Sequence, residues 1–267
     1  MKISIVTISY NQAQFLERTI RSVVEQDYQD IEYIVVDAGS TDGSREIIER
    51  YQKQISKVIL EPDKGPADGL NKGFAVATGD LYGFLNSDDI LLPDALKEVV
   101  QFFEIHPEID VVSAHSLIID RNDKVLLKGF SGRFSLHSYA YYGVGLMQAS
   151  TFFRRKSFLD AGGFNEQNTS SWDGELWVDM AQQGARFALI NAFWSGFRLH
   201  PQSITTSKRL HELINKDHLR IFHKIIGRKM NRRDSVLRFA YRVFRHIRDP
   251  RAFMERVLKG PISGRGQ

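Results

Sequence analysis

Four short apolar runs, each followed at once by polar loop residues and then by helical periodicity, constrain this chain more than any other feature. Ile3 to Ser9, Tyr33 to Asp37, Val58 to Leu60 and Leu81 to Leu85 have the length and β-branched content of buried strands. Between them, Phe15, Ile20, Val23 and Val24 share one helix face, Ile47, Ile48 and Tyr51 a second, and Leu70, Phe74 and Ala77 a third. Such alternation predicts an α/β fold: a Rossmann-like, mostly parallel central sheet flanked by helices. It gathers Ser9-Tyr10-Asn11, Asp37-Ala38-Gly39-Ser40 and Asn86-Ser87-Asp88-Asp89 at the carboxyl ends of strands, where open α/β sheets bind ligands.

The pattern continues with a helix from Pro93 to Glu104, a strand from Val111 to Ala114 and a hairpin through Arg121-Asn122-Asp123. Arg155 to Ala161 and Gly174 to Gln183 read as helices, Phe187 to Ile190 and Phe193 to Leu199 as strands. Strand signals stop at Lys208. From there to residue 267 the chain holds 17 Lys and Arg against 5 Asp and Glu, or +12, so the first 207 residues carry −8 of the net +4. The expected division is a body over 1–205 and a basic, amphipathic helical extension over 206–267. Leu210, Leu213, Ile214, Ile221, Ile225 and Ile226 suit a helix packed on the body. In Val236 to Ile247, Val236, Ala240, Val243, Phe244 and Ile247 form the apolar face, opposite Arg238, Arg242 and Arg245. Residues 260–267 read as a frayed end.

With no cysteine, disulfide scaffolds, thiolate zinc sites, iron–sulfur clusters and a cysteine nucleophile are excluded together. The amino-terminal residues read as a buried strand rather than a leader peptide, and a cytoplasmic location is expected. The long uncharged stretch from Phe134 to Phe153 contains His137, Gln148 and several serines, which makes it a poor membrane span.

Asp37, at a strand tip before a glycine-rich turn, suits a nucleoside base or ribose, and equally a polar cap on a strand-to-helix turn. In Leu85-Asn86-Ser87-Asp88-Asp89, carboxylates directly follow a buried strand and must be hydrated, paired or on a metal. Oxygen ligands there suit Mg²⁺ or Mn²⁺ held by one or two carboxylates and substrate phosphates; the plainer alternative is a cap on the helix near Pro93.

The chain resembles the inverting family 2 glycosyltransferases of GT-A fold. The resemblance rests on Ser4 to Asn11, Ile34 to Gly43, Gly65 to Gly73, Ala77 to Asp80 with Asn86 to Asp89, Thr151 to Arg155, Gly162 to Glu166 and Trp172 to Trp177. It covers about residues 1–205, in family order and spacing. By this resemblance Thr7, Ser9 and Asp37 hold the nucleoside of a sugar donor, most simply a UDP-sugar, and Asp68 and Lys72 belong to a donor-side stretch. Ser87 and Asp88 match the metal and diphosphate motif, with Asp88 the metal ligand. Asn86 stands where many relatives have aspartate, so its contact to the donor sugar or ribose is an open point.

The resemblance also makes Asp173 the catalytic base, just before a helix, with Glu175 as the alternative. Many relatives have Glu-Asp where this chain has Trp172-Asp173. His200, after the last strand, is a metal or diphosphate ligand by resemblance and a structural residue otherwise. Gln148 is the acceptor-side candidate, and Tyr139, Tyr141 and Tyr142 either stack on a sugar or fill core.

These residues imply a metal-dependent inverting transfer of sugar to a hydroxyl of a glycan or lipid-linked glycan, as in cell-surface polysaccharide synthesis. A nucleotidyltransferase and a non-catalytic nucleotide-sugar-binding or membrane-scaffold protein are the rivals. The basic extension either packs on the body or meets an anionic membrane surface peripherally. Nucleic acid is the weaker partner, because no recognised binding module accompanies the charge.

Overall fold

A computed structural model describes residues 1–200 and 210–260, without the side chains of 210–212 and 256. The first half builds β1 (Ile3–Ser9), α1 (Ala13–Val24), β2 (Ile31–Asp37), α2 (Ser44–Arg50), β3 (Lys57–Ile59), α3 (Pro66–Ala75) and β4 (Leu81–Asn86). Then come β5 (Ile90–Leu91), α4 (Ala95–Ile105), β6 (Val111–Ile119), β7 (Val125–Gly129) and α5 (Leu136–Ala140). The remainder comprises β8 (Thr151–Arg154), α6 (Arg155–Ala161), α7 (Trp172–Gln182), β9 (Phe187–Arg198), α8 (Leu210–Ile226), α9 (Arg232–Arg248) and α10 (Arg251–Lys259).

One sheet runs β3-β2-β1-β4-β8-β6-β9-β5, with β7 on β6. β1, β2, β3 and β4 are mutually parallel, in register Ser9 beside Asp37 and Ile8 beside Asn86, so three polar loops leave the sheet at one edge. The strands read as near-continuous apolar runs because both sheet faces are covered. On one face Ile5, Leu16, Ile20, Tyr33 and Leu96 make the core; on the other Val6, Leu70, Phe74, Phe153 and Trp177 do.

Three expected elements differ from those observed. Phe187 to Ile190 and Phe193 to Leu199 form a single strand, β9, parallel to β6. The pairing skips from Ser113 beside Leu189 to His115 beside Phe193, a bulge at which exposed Asn191 is accommodated. β6 extends to Ile119 because its polar side chains find partners: Ser116 Oγ lies 2.7 Å from Ser195 Oγ and 3.0 Å from Ser150 Oγ. α7 begins at Trp172, two residues early, so Asp173 stands in its first turn and Ser171 is the capping position.

Periodicity alone leaves the orientation of α9 on the body open. The side carrying Asp234, Arg238, Tyr241 and Arg245 faces the body and the apolar stripe faces out: Phe239, Val236 and Ile247 are 71%, 69% and 73% exposed. Aromatic and ionic contacts dock it this way. Asp234 is fully buried, accepting from both terminal nitrogens of Arg228 at 2.7 and 2.8 Å and from the Tyr141 hydroxyl at 3.1 Å. Tyr241 stacks on Tyr141 at 5.2 Å, and the Arg238 guanidinium sits 4.3 Å over the Tyr142 ring. α8 behaves as expected, with Ile221 and Phe222 fully buried. The expected boundary near 205 and, apart from Gly260, the expected frayed end at 260–267 lie outside the described residues.

Candidate active site

A cavity of about 560 Å³ opens where β1, β2 and β4 end, lined by Ser9, Tyr10, Asp63, Asn86, Asp88 and Trp172 among others. Two loops are laced together behind it. Ser40 Oγ accepts from the Asn11 amide at 2.9 Å, and Asn11 Oδ1 accepts from the Thr41 amide at 2.9 Å. Ser9 Oγ is buried on the cavity floor with no hydrogen-bond partner among the described residues. An unpaired buried hydroxyl there fits a polar ligand group.

At the tip of β4, Asp88 and Asp89 point apart. Asp89 is buried; one oxygen accepts from the Arg198 amide at 2.9 Å, while burial and then the neighbouring Asp88 charge push its carboxyl well above the usual range. Asp88 is half-buried, and its Oδ2 lies 2.9 Å from His200 Nε2. The contact is a hydrogen bond between the two side chains, and it leaves both atoms within reach of one Mg²⁺ or Mn²⁺ shell. Among the described residues no cluster of three or more acidic or histidine ligands exists. Completing such a shell would therefore fall to donor phosphates and water.

Arg198 holds this corner together. It is fully buried, donates from Nε to the Asp88 carbonyl at 2.6 Å and from Nη1 to the Asp120 carbonyl at 3.0 Å, and pairs with Asp123. Its guanidinium also lies 5.0 Å from the Phe15 ring centroid, and Phe15 packs at 4.6 Å against His200.

A second cavity, of about 250 Å³, is lined by Tyr139, Tyr142, Leu146, Asp173, Trp177 and His218 among others. Trp172 lines the first cavity and Asp173 the second. Burial raises the Asp173 carboxyl above its usual value, against the opposing pull of the Gly174 and Asp173 amides. Gly174 has to be glycine because a Cβ would stand 1.7 Å from the Tyr139 hydroxyl oxygen. Glu175 points elsewhere: it is buried, paired with Arg220, and accepts from Asn168 at 2.8 Å and Asn165 at 3.1 Å. Burial opposes its ionisation, but those hydrogen bonds win and hold its carboxyl at about 2.

The sequence pattern described as "Glycosyl transferase family 2" matches residues 4–162, more than half of the chain. The chain belongs to this family. It is 41% identical over 129 residues to "Uncharacterized glycosyltransferase alr2836" of Nostoc sp., a match spanning 47% of this chain and 40% of that relative's length. The fold matches that of S. aureus TarS 1-349 in complex with UDP-GlcNAc, with TM-score 0.70, 19% identity, and 98% of this chain and 77% of the other covered. It also matches the mannosyltransferase PcManGT from Pyrobaculum calidifontis in complex with GDP-Man and Mn²⁺, with TM-score 0.64, 19% identity, and 97% and 73% covered. The α/β architecture is thus the GT-A fold.

On this glycosyltransferase frame, Ser9, Asn86, Ser87 and Asp88 line the first cavity, with His200 against Asp88 and Asp173 next door. Thr7 is instead buried in the sheet, its hydroxyl accepting from Tyr33 at 3.1 Å. Asp37 is fully buried behind Ala38, accepting from the Ser40 amide and from Arg45 Nε, each at 2.9 Å, so hydrogen bonds depress its pKa against the cost of burial. Asp68 and Lys72 pair at 3.7 Å and brace the preceding loop, Asp68 accepting from the Lys64 amide at 2.9 Å. Gln148 lines neither cavity; it accepts from Asn86 at 3.2 Å and donates to the Phe84 carbonyl at 2.7 Å, setting the Asn86 side chain. Neither Asp88 nor Asp89 caps α4, whose capping position is Asp94.

Sequence reasoning missed Asp63 and Arg198. Arg198 had a signal: it is the single charge in the run from Phe193 to Leu199. Asp63 had none beyond its place before a Gly-Pro turn.

Proposed function

We propose that this protein is a metal-dependent, inverting glycosyltransferase that moves a sugar from a UDP-linked donor to a hydroxyl of a glycan or lipid-linked glycan. The observation that carries the reading is the placement of Trp172 and Asp173, consecutive residues that line two different cavities, the first of them at the sheet edge. The donor lies in the first cavity, its nucleoside toward Ser9 and its diphosphate toward Asp88. The acceptor lies in the second, against the faces of Tyr139 and Tyr142.

Asp173 accepts the proton of the attacking hydroxyl as oxygen bonds to the anomeric carbon and the bond to the nucleoside diphosphate breaks. The proton passes from Asp173 to solvent. A single displacement with the base opposite the leaving group inverts the anomeric centre, and no enzyme nucleophile is required. Burial raises the Asp173 carboxyl above its usual value, which makes the carboxylate a stronger base. Glu175, enclosed and paired with Arg220, is suited to anchoring α7 rather than to meeting substrate. Asp88 and neutral His200 would hold Mg²⁺ or Mn²⁺, which supplies charge neutralisation for the departing diphosphate.

Asp173→Asn tests the assignment. Transfer of label from UDP-GlcNAc or another UDP-sugar should fall about 10²–10⁴-fold, with UDP affinity unchanged. Transfer at the wild-type rate would remove Asp173 from its role.

The outward stripe of α9 and the apolar residues Phe253, Val257 and Leu258 of α10 favour peripheral docking on an anionic bilayer. Exposed Arg232, Arg233 and Arg248 lie on the same helix as the stripe and supply complementary charge. Among the described residues no helix is long and apolar enough to cross a membrane. Phe239→Ser with Ile247→Ser should reduce co-sedimentation with phosphatidylglycerol vesicles. Equal sedimentation of wild type and double variant discards the docking face.

A further inference from the structure

The loop that carries Asp88 is held in shape by side chains from two other elements. Three consecutive carbonyls, of Ser87, Asp88 and Asp89, face side-chain donors. Thr19 Oγ1 on α1 lies 2.8 Å from the first and 2.7 Å from the third, and Arg198 Nε on β9 donates to the second at 2.6 Å. The Arg198 amide donates to the Asp89 carboxyl at 2.9 Å, and the chain reaches His200 two residues later. One arginine therefore fixes both members of the Asp88–His200 pair, the first through a hydrogen bond and the second through the backbone.

Arg198 is held in turn by the β6–β7 hairpin. Its Nη1 donates to the Asp120 carbonyl at 3.0 Å and pairs with Asp123. Asp123 accepts from Arg198 through one carboxylate oxygen and from Arg18 of α1, at 2.9 Å, through the other. Burial opposes its ionisation, but the hydrogen bonds from Arg198 and then Arg18 hold its carboxyl below the usual range, so at neutral pH it is an anion between two guanidinium groups. Asp123 sits at φ +68°, in the left-handed region that aspartate and asparagine tolerate better than most residues. Phe15 completes the bracket: its ring lies 5.0 Å from the Arg198 guanidinium, 5.4 Å from that of Arg18 and 4.6 Å from the His200 ring. Arg198 Nη2 is nevertheless buried with no hydrogen-bond partner among the described residues, a cost that a fold keeps where another task fixes the side chain. Neither Arg198 nor Asp123 lines the cavity at the sheet edge, so whatever they do for a ligand there they do through Asp88 and His200.

We propose that Arg198 and Asp123 are positioning residues, which set Asp88 and His200 for the divalent cation of the donor diphosphate. The β6–β7 hairpin thereby becomes part of the donor site. Arginine suits this task because its planar fork presents several donors in fixed directions, so that Nε and Nη1 together hold two carbonyls and a carboxylate; a lysine ammonium cannot span them. Residues that orient metal ligands typically change metal affinity about 10–100-fold when replaced. This rests on Asp88 and His200 being ligands of that cation.

The experiment is calorimetric titration of UDP into the full chain, with and without Mn²⁺, in wild type, Asp88→Ala, Asp123→Asn and Arg198→Lys, with thermal unfolding of each protein. Asparagine keeps the left-handed turn but offers one acceptor oxygen in place of two, so one guanidinium loses its partner. Lysine keeps the buried charge and loses the fork. The Mn²⁺-dependent gain in UDP affinity should shrink about tenfold or be lost in Asp123→Asn and in Arg198→Lys, with UDP affinity in the absence of metal unchanged. A purely structural bracket would lower the unfolding temperature and leave the gain as in wild type; that result in Asp123→Asn overturns the proposal. An equal loss of UDP affinity with and without metal also overturns it, because it marks a general disturbance of the cavity. If Arg198→Lys does not fold, Asp123→Asn decides alone. A wild type without the gain, or a gain that survives in Asp88→Ala, removes the metal assignment and the positioning role together, whereas a gain lost in Asp88→Ala and kept in Asp123→Asn removes the positioning role alone.

Discussion

Replacing Arg220 by methionine should loosen α7, the helix that carries Asp173, the proposed base. Arg220 on α8 grips both oxygens of Glu175 on α7, through Nη1 and, at 2.7 Å, through Nη2. Glu175 is almost wholly buried, and its hydrogen bonds bring its pKa from 4.5 to about 2 despite the cost of burial. At about 1.36 kcal/mol per pH unit that drop corresponds to roughly 3 kcal/mol of stability. Arg220 is itself 39% exposed, which screens part of the attraction, and Lys224 Nζ remains 3.5 Å from Glu175 after the substitution. We therefore expect a loss of about 2 kcal/mol at pH 7, below the 3–5 kcal/mol typical of stripping one partner from a fully buried pair. The folded-state pKa lies below the unfolded one, so the contribution is complete above about 4.5 and fades as pH falls toward 2. Urea unfolding at pH 7 and pH 3 should show the gap between wild type and Arg220→Met narrowing in acid. Adding Glu175→Gln should restore part of the loss by removing the stranded charge. A variant within about 0.5 kcal/mol of wild type at pH 7, or a penalty as large at pH 3, refutes the reasoning.

Two further outcomes follow from the same helix. Gly174→Ala should cost about 3 kcal/mol, the upper end for overpacking, because the new Cβ meets the buried Tyr139 hydroxyl at 1.7 Å; thermal unfolding measures it, and a stability equal to wild type contradicts the packing. The acid limb of kcat should lie above the ordinary aspartate value of 3.8, because activity is lost as Asp173 takes up its proton through a raised pKa. A pH–rate profile with saturating substrates locates that limb, and one falling below 3.8 counts against Asp173 as the base.

Local pattern carried the parallel half of the fold. The apolar run Ile3–Ser9 and the helix Arg155–Ala161 have the same bounds in sequence and structure, because strand and helix periods are written in neighbouring residues. Asp88 was legible in the same way, as a carboxylate at a strand end, whereas Asp173 was singled out by the family resemblance. Pairings across the chain were not. Asp88 meets His200 across 112 residues, and Glu175 meets Arg220 across 45, through sheet closure and helix docking that no local spacing encodes. Asp37 stands at a strand end as expected and Thr7 lies within β1, yet their side chains meet Arg45 and Tyr33, partners fixed only in three dimensions. α9 shows the limit most plainly. Periodicity separates its apolar and arginine faces, but the stack of Tyr141 on Tyr241 and the clamp of Arg228 on Asp234 determine which face docks.

The central claim is that Asp88 with His200 serves the donor diphosphate while Asp173 serves the acceptor. Calorimetric titration of UDP with and without Mn²⁺ tests it most directly, in wild type, Asp88→Ala and Asp173→Ala. Wild type and Asp173→Ala should bind UDP more tightly with Mn²⁺, and Asp88→Ala should lose that metal-dependent gain. A gain that survives in Asp88→Ala, or one that vanishes in Asp173→Ala, contradicts the division of roles between the two cavities.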